Sequence, residues 1–193
     1  VEALARQTIS AFGAVHLLVN NAGVGAGGTI WDSTLADWEW VMGVNLWGVI
    51  HGLRAFVPIM LAQNTEGHIV NTASLAGLMP GGGTYGVSKH GVLSLTETLH
   101  QNLTMQGAKI GASVLCPGFV NTNIFDAERN RPKELAATPG AEIPGMAEIG
   151  RNMLAAGKQP AEVADIVFRS IEQNHFYILP HPAWDPIVRG RVD

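Results

Sequence analysis

The chain has a single cysteine in 193 residues. Cys116 therefore cannot close an internal disulfide, and with no CxxC and no Cys/His cluster it offers no metal site. It reads as a small buried residue at a strand end. Charge is sparse as well: 15% of residues are charged, 16 acidic against 12 basic, for a formal charge of -4. No stretch gathers the basic residues into a strip that could track phosphates, which argues against a nucleic-acid partner. Long apolar runs are missing too. Val41 to Ile50 is broken by Gly and Asn well short of the ~20 residues a bilayer requires, and no charged leader with an apolar stretch and cleavage site opens the chain. The expectation is a cytoplasmic protein with no membrane association.

What is abundant is glycine, at 23 residues, together with 47% hydrophobic content, enough to bury one substantial core. A single domain over residues 1–193 is expected. The glycines gather at Gly23 to Gly28 and Gly81 to Gly83, as tight turns over a ligand would require. Val1 to Phe12 puts Leu4, Thr8 and Ile9 on one helical face, without a cap before it, and Gly13 stops it. An uncapped start suggests a missing upstream segment.

The rest alternates regularly. Val15 to Asn20 is a short apolar strand, and Ser33 or Thr34 can cap a helix that runs to about Leu61. His68 to Ala73, Lys109 to Cys116 and Phe176 to Leu179 read as strands, and Thr84 to Met105 and Pro160 to Asn174 as helices. Asn121 to Gln159 is irregular, with a short helix at Met146 to Ala155, and is expected to form a substrate-binding loop or lid. Short apolar strands alternating with helices predict an α/β fold: a parallel sheet with helices on both faces, binding its ligand beyond the carboxyl ends of the strands.

Gly, Ser and Pro cluster at those ends. Tyr85 and Lys89, four apart on a helix, share one face, so the ammonium can lie by the phenol and favour its ionised form. Such pairs are common on exposed helices, and the pair alone decides nothing. Ser74 ends a strand at the sheet's carboxyl edge, where its hydroxyl can bind a substrate oxygen. Asn45 falls inside a helix, where asparagine competes for backbone hydrogen bonds, and a local distortion is expected there. Gly23, Gly25 and Gly28 formally satisfy G-x-G-x-x-G, but a credible helix cap comes too late for a dinucleotide fingerprint.

Taken together, Asn20-Asn21-Ala22-Gly23, Asn45 in Val-Asn-Leu-Trp-Gly, Ser74, Tyr85-Gly-Val-Ser-Lys89 and Pro117-Gly118-Phe-Val-Asn-Thr122 resemble the short-chain dehydrogenase/reductase family, in order and location, to about Leu179. The resemblance implies a Rossmann-like doubly wound sheet and an NAD- or NADP-dependent oxidoreductase interconverting an alcohol and a ketone or aldehyde. It implies Tyr85 as general acid/base, Lys89 lowering its pKa and holding the nicotinamide ribose, Ser74 orienting the substrate oxygen, and Asn45 supporting a relay water. Asn20, Ala22 and Gly23 would steady the sheet and line the adenosine side; Pro117, Gly118, Val120 and Thr122 would lie along the nicotinamide carboxamide.

Two departures accompany it. The family's opening strand, its Thr-Gly-x-x-x-Gly-x-Gly turn and the strand that selects NAD or NADP do not precede Val1, so the N-terminal βαβ part is expected to be absent from these residues. The loop from Ser74 to Tyr85 is also shorter than the family's. Met79, Phe119, Ile124, Phe125, Ile143 and Met146 suggest an apolar pocket and hence an apolar alcohol or ketone. Apolar faces on the helices around Trp38 to Phe56 and Val87 to Leu103 suggest a homodimer or homotetramer. The histidines lack ligand spacing and are expected to be structural. The competing reading is a non-catalytic ligand sensor or scaffold on the same fold, against which the intact Ser74, Tyr85, Lys89 and Asn45 argue.

Overall fold

The computed structural model describes residues 1–25, 28–136, 145–184 and 186. Helix α1 (Glu2–Phe12) ends on Gly13, whose φ of 77° and N–H bond to Ile9 O form a left-handed cap that glycine adopts without a Cβ penalty. Strand β1 (Leu17–Asn20) follows. It starts later than the apolar run at Val15 because Val15 spends both backbone groups on the Gln63 carboxamide, at 2.9 and 2.8 Å.

Thr34, of the two candidate caps, opens α2 (Leu35–Met42): its hydroxyl accepts from the Asp37 N–H while the Asp37 carboxylate accepts from the Thr34 N–H. This reciprocal box satisfies two donors that a helix start leaves orphaned. The helical path then passes through a π-helical segment, Gly43–Trp47, into α3 (Gly48–Gln63). Strand β2 (Gly67–Thr72), helix α4 (Gly83–Met105), strand β3 (Ile110–Leu115), helices α5 (Met146–Ala155) and α6 (Pro160–Glu172), and strand β4 (Tyr177–Ile178) complete the order.

The sheet is parallel throughout, in the order β1-β2-β3-β4, with Asn20 opposite Asn71 and Thr72 opposite Leu115. Alternate residues face opposite sides. Ile69 and Ala112 join Ala5, Phe56 and Met60 under α1, α3 and α4, whereas Val70, Leu115 and Ile178 pack with Val163 of α6. The expected α/β architecture with helices on both faces is thus present. On β1, Leu18 is buried, but Leu17 and Val19 on the other face are 40% and 47% exposed.

Two features were not anticipated. Leu35–Gln63, taken as one helical run, is by length and composition long and apolar enough to cross a membrane, with a mean hydropathy of 1.4 over an 18-residue stretch of it. This departs from the expectation that no such run exists; π geometry carries the helix past the glycines and Asn45 instead of ending it. One face of the run packs Val41, Val49, Phe56 and Met60 inside and buries Asp37 and Asn45 along with them, and 33% of its apolar stretch is buried.

The second is Arg131, between the short 3-10 turns Ile124–Asn130 and Lys133–Leu135. It pairs with Asp37 at 2.6 Å, both side chains under a tenth exposed, lies 4.8 Å from the Trp40 ring centroid and donates to Leu135 O. Burial works to raise the Asp37 pKa, but hydrogen bonds from Thr34 and Arg131 outweigh it and hold the carboxyl below its usual range. The stretch of the expected lid region around Arg131 is therefore fastened to the head of α2. Residues 137–144 of that region, Ile143 among them, and the side chain of Met146 lie outside the described residues.

His68 of β2 carries a pH signature. Ser113 Oγ donates to His175 O at 2.7 Å, so its lone pair accepts from His68 Nε2–H at 2.7 Å. Burial lowers the His68 pKa from its ordinary 6.5. The unfolded chain thus binds a proton that the folded one refuses, and stability falls as pH drops below about 6.5. His68→Gln, which retains a donor but does not titrate, is expected to show a shallower loss of urea stability between neutral and mildly acidic pH than the wild type.

Candidate active site

The carboxyl ends of β1, β2 and β3 continue into Asn21–Val24, Ala73–Ser74 and Pro117–Val120, and α4 begins above them. Gly81, Gly82 and Gly83, with φ of 107°, 74° and 54°, make a compact entry to α4 that residues with a Cβ would adopt only under strain. The shorter Ser74–Tyr85 connection is closed in this way.

One helical turn carries Tyr85 and Lys89 on the same face, as their spacing predicts. Lys89 Nζ lies 5.5 Å from the centroid of the Tyr85 ring and donates to Thr72 O at 2.9 Å, with the residue 2% exposed. Burial lowers the Lys89 pKa to about 8. Cys116 is pushed up to about 12 by burial, so it stays a protonated, unreactive thiol at neutral pH.

Tyr85 departs from expectation. Burial raises its phenol above the ordinary value near 10, and a hydrogen bond with Ser74 offsets only part of that. Lys89 was expected to lower this pKa. Its ammonium is instead directed to Thr72 O and lies over the face of the ring.

Ser74 is extended, at φ -174°, and its hydroxyl accepts from Ala76 N–H at 3.2 Å at the start of the 3-10 turn Leu75–Gly77. Its proton points toward Pro117 O at 3.4 Å, and Leu75 N–H reaches the same carbonyl at 2.9 Å. The end of β2 and the Pro117 loop are thus connected through Ser74 and Leu75.

Asn45 sits in the π segment, where a helix distortion was expected, and is fully buried. Its Oδ1 accepts from Val24 N–H at 2.8 Å, and its Nδ2 donates to Val24 O and Ser88 Oγ, both at 2.9 Å. Ser88 Oγ in turn donates to Tyr85 O at 2.7 Å. Gly23 lies in the same corner: a Cβ there would come 3.4 Å from Lys89 Nζ and 3.6 Å from Asn45 Oδ1.

Asn20 faces the interior instead. Its Nδ2 donates to Asn71 Oδ1 at 2.8 Å, and a Cβ on Gly52 would collide with its carboxamide, so Gly52 is what lets α3 approach the sheet. Ala22 is exposed at the strand end. Gly28, with φ 103°, falls well before the Thr34 cap, so the nominal glycine fingerprint does not open α2; Ala26 and Gly27 within it lie outside the described residues. Val120 bridges to Lys158, while Thr122 is exposed beyond it. Of the suggested pocket residues, Phe119 packs against Trp184 and Phe125 against α5 at Gly150, so the two rings go to different neighbours.

Arg131, Ser88 and His181 went unremarked in the sequence. Each acts through a contact with a residue distant along the chain. Among the described residues no group of His, Cys, Asp and Glu could hold a metal ion.

A family model described as short chain dehydrogenase matches residues 1–133. A CLA biosynthesis dehydrogenase/reductase of Lactiplantibacillus plantarum is 35% identical over 200 aligned positions, which cover 100% of this chain and 70% of that protein. A short chain dehydrogenase/reductase from Burkholderia phymatum, crystallised with NAD, is 51% identical with a TM-score of 0.93, covering 97% of this chain and 69% of that one. A metagenomic short-chain oxidoreductase in complex with NADP is 37% identical with a TM-score of 0.55, over 60% of this chain and 52% of that one. The chain belongs to the short chain dehydrogenase family of oxidoreductases.

Replacing Asn45 with Leu would leave the buried N–H and C=O of Val24 without partners. Unsatisfied buried groups cost ~1–3 kcal/mol each, so with two of them urea unfolding is expected to show a loss of about 2–6 kcal/mol for Asn45→Leu, with Ser88→Ala costing less.

Proposed function

We propose that this chain carries the catalytic part of an NAD- or NADP-dependent dehydrogenase/reductase that interconverts an alcohol and a ketone or aldehyde. The observation that carries the reading is the gathering of Tyr85, the buried Lys89 ammonium 5.5 Å from its ring centroid and Ser74 at the sheet's carboxyl edge. The residues fit the nicotinamide end of such a cofactor: the missing side chain at Gly23 leaves the approach to Lys89 Nζ open, and Ala22 presents a small exposed surface beside it. When bound, the nicotinamide gives or takes a hydride at its C4.

Lys89 would hold the ribose hydroxyls beside that ring, with Ala22 and Gly23 on the adenosine side, Asn20 steadying the sheet beneath them, and Pro117, Gly118, Val120 and Thr122 along the carboxamide. Ser74 would hold the substrate oxygen next to the Tyr85 hydroxyl. With its pKa raised, Tyr85 is a phenol at neutral pH and is poised to donate its proton to a carbonyl oxygen as the alcohol forms. In the oxidation direction it must first lose that proton. Both amide hydrogens of Asn45 are committed to Val24 and Ser88, so a relay water would be held by the backbone of the π segment, where such irregularities often serve function.

The apolar Phe119, Ile124 and Phe125 around the loop favour an apolar alcohol or ketone. Exposed Trp47 and Val87, at 53% and 43%, lie on helix faces suited to a homodimer or homotetramer. We place the protein in the cytoplasm.

In the full-length protein, Tyr85→Phe is expected to lower kcat/KM by about 10²–10⁴-fold while NAD titration by fluorescence stays unchanged. Binding without turnover in the wild type would instead favour a ligand sensor. Alcohol oxidation, followed as kcat/KM, is expected to rise with pH as Tyr85 ionises and to flatten above about 8, where Lys89 loses its charge.

A further inference from the structure

We propose that His181 is a positioning residue for the cofactor loop Pro117–Thr122, clamping the Gly118–Phe119 backbone through both of its ring nitrogens. The inference rests on the functional reading above and adds to it a residue that no motif marks. His181 Nδ1 accepts from Gly118 N–H at 3.1 Å, and Nε2 lies 3.0 Å from Phe119 O. The acceptor role of Nδ1 puts the ring proton on Nε2, which therefore donates to the carbonyl. Only this neutral tautomer serves both groups.

The chain around His181 is built to hold it still. Pro180 and Pro182 flank it, the one with a fixed φ and the other restricting His181 itself to extended backbone. Trp184 N–H closes a turn onto His181 O at 3.1 Å, and the Trp184 ring meets the Phe119 ring edge-on with centroids 5.9 Å apart. On the opposite side the same loop pairs with Lys158, through Lys158 N–H to Phe119 O at 3.2 Å and Asn121 N–H to Lys158 O at 2.9 Å. Gly118 suits the clamp, since a Cβ there would sit 3.2 Å from His181 Cγ and push the ring back by a few tenths of an ångström.

The loop that His181 grips begins at Pro117, whose carbonyl takes the Ser74 hydroxyl and the Leu75 N–H. Fixing the next peptide planes sets which backbone groups face the reacting end of a dinucleotide. His181 touches no reacting atom on this reading. It acts through Gly118 and Phe119, so losing it should affect recognition of the nicotinamide end and spare the adenosine end.

The test compares NAD with ADP-ribose, which lacks the nicotinamide, by calorimetric titration of the full-length protein. His181→Phe keeps the ring volume but removes both polar contacts; it is expected to weaken NAD binding about ten-fold, the size of one lost hydrogen bond, with ADP-ribose affinity unchanged. His181→Asn, which restores an acceptor near Nδ1, is expected to recover part of the loss. Thermal unfolding of each variant guards against a general defect. Equal NAD affinity in wild type and His181→Phe, or parallel loss of both nucleotides, overturns the positioning role while leaving the cofactor assignment standing. Failure of the wild type to bind NAD and NADP overturns the functional reading and this inference with it.

Discussion

The site depends on the Asn45 carboxamide. It ties the backbone of Val24, beyond β1, to Ser88 on α4, and Ser88 passes the connection to the Tyr85 carbonyl. Three segments distant in sequence are therefore held in register by one buried side chain. A carboxamide can do this because it offers an acceptor and two donors in one plane. It reaches them because the helix loosens into π geometry over Gly43–Trp47.

Around that junction, packing and electrostatics pull in different directions. Burying Lys89 and Tyr85 raises the cost of charge on each, which lowers the lysine to about 8 and lifts the phenol. Carbonyl and hydroxyl partners offset only part of that cost. The outcome is a neutral phenol next to a cation at neutral pH, an arrangement that favours giving a proton over taking one. Surrounding clamps are neutral or internally paired: His181 on the Pro117 loop, and Arg131 with Asp37 at the head of α2.

The sequence was most legible where chemistry is local. Gly13, Thr34 and Pro160 act within a turn of their own position, so the ends they set for α1, α2 and α6 could be read directly. Tyr85 and Lys89 share a face by helical period alone, and the asparagine in a helix pointed to the π distortion. Boundaries shifted where a distant side chain competed for the backbone, as Gln63 does at Val15. The helix from Thr34 to about Leu61 was legible as continuous, and only its apolar length was underrated, because Gly43, Asn45 and Gly48 interrupt the apolar residues without ending the helix.

By itself, then, the sequence determined the α/β alternation, the parallel sheet and the residues gathered at its carboxyl edge, because periodicity and turn chemistry are set by near neighbours. Tertiary structure decided what those residues are worth chemically. The rise in the Tyr85 pKa comes from burial, which depends on everything packed around the ring. The direction of Lys89 toward Thr72, the grip of His181 on Gly118 and the bond from Arg131 to Asp37 join positions far apart in the chain, and no local pattern encodes a contact whose partner is chosen by the fold.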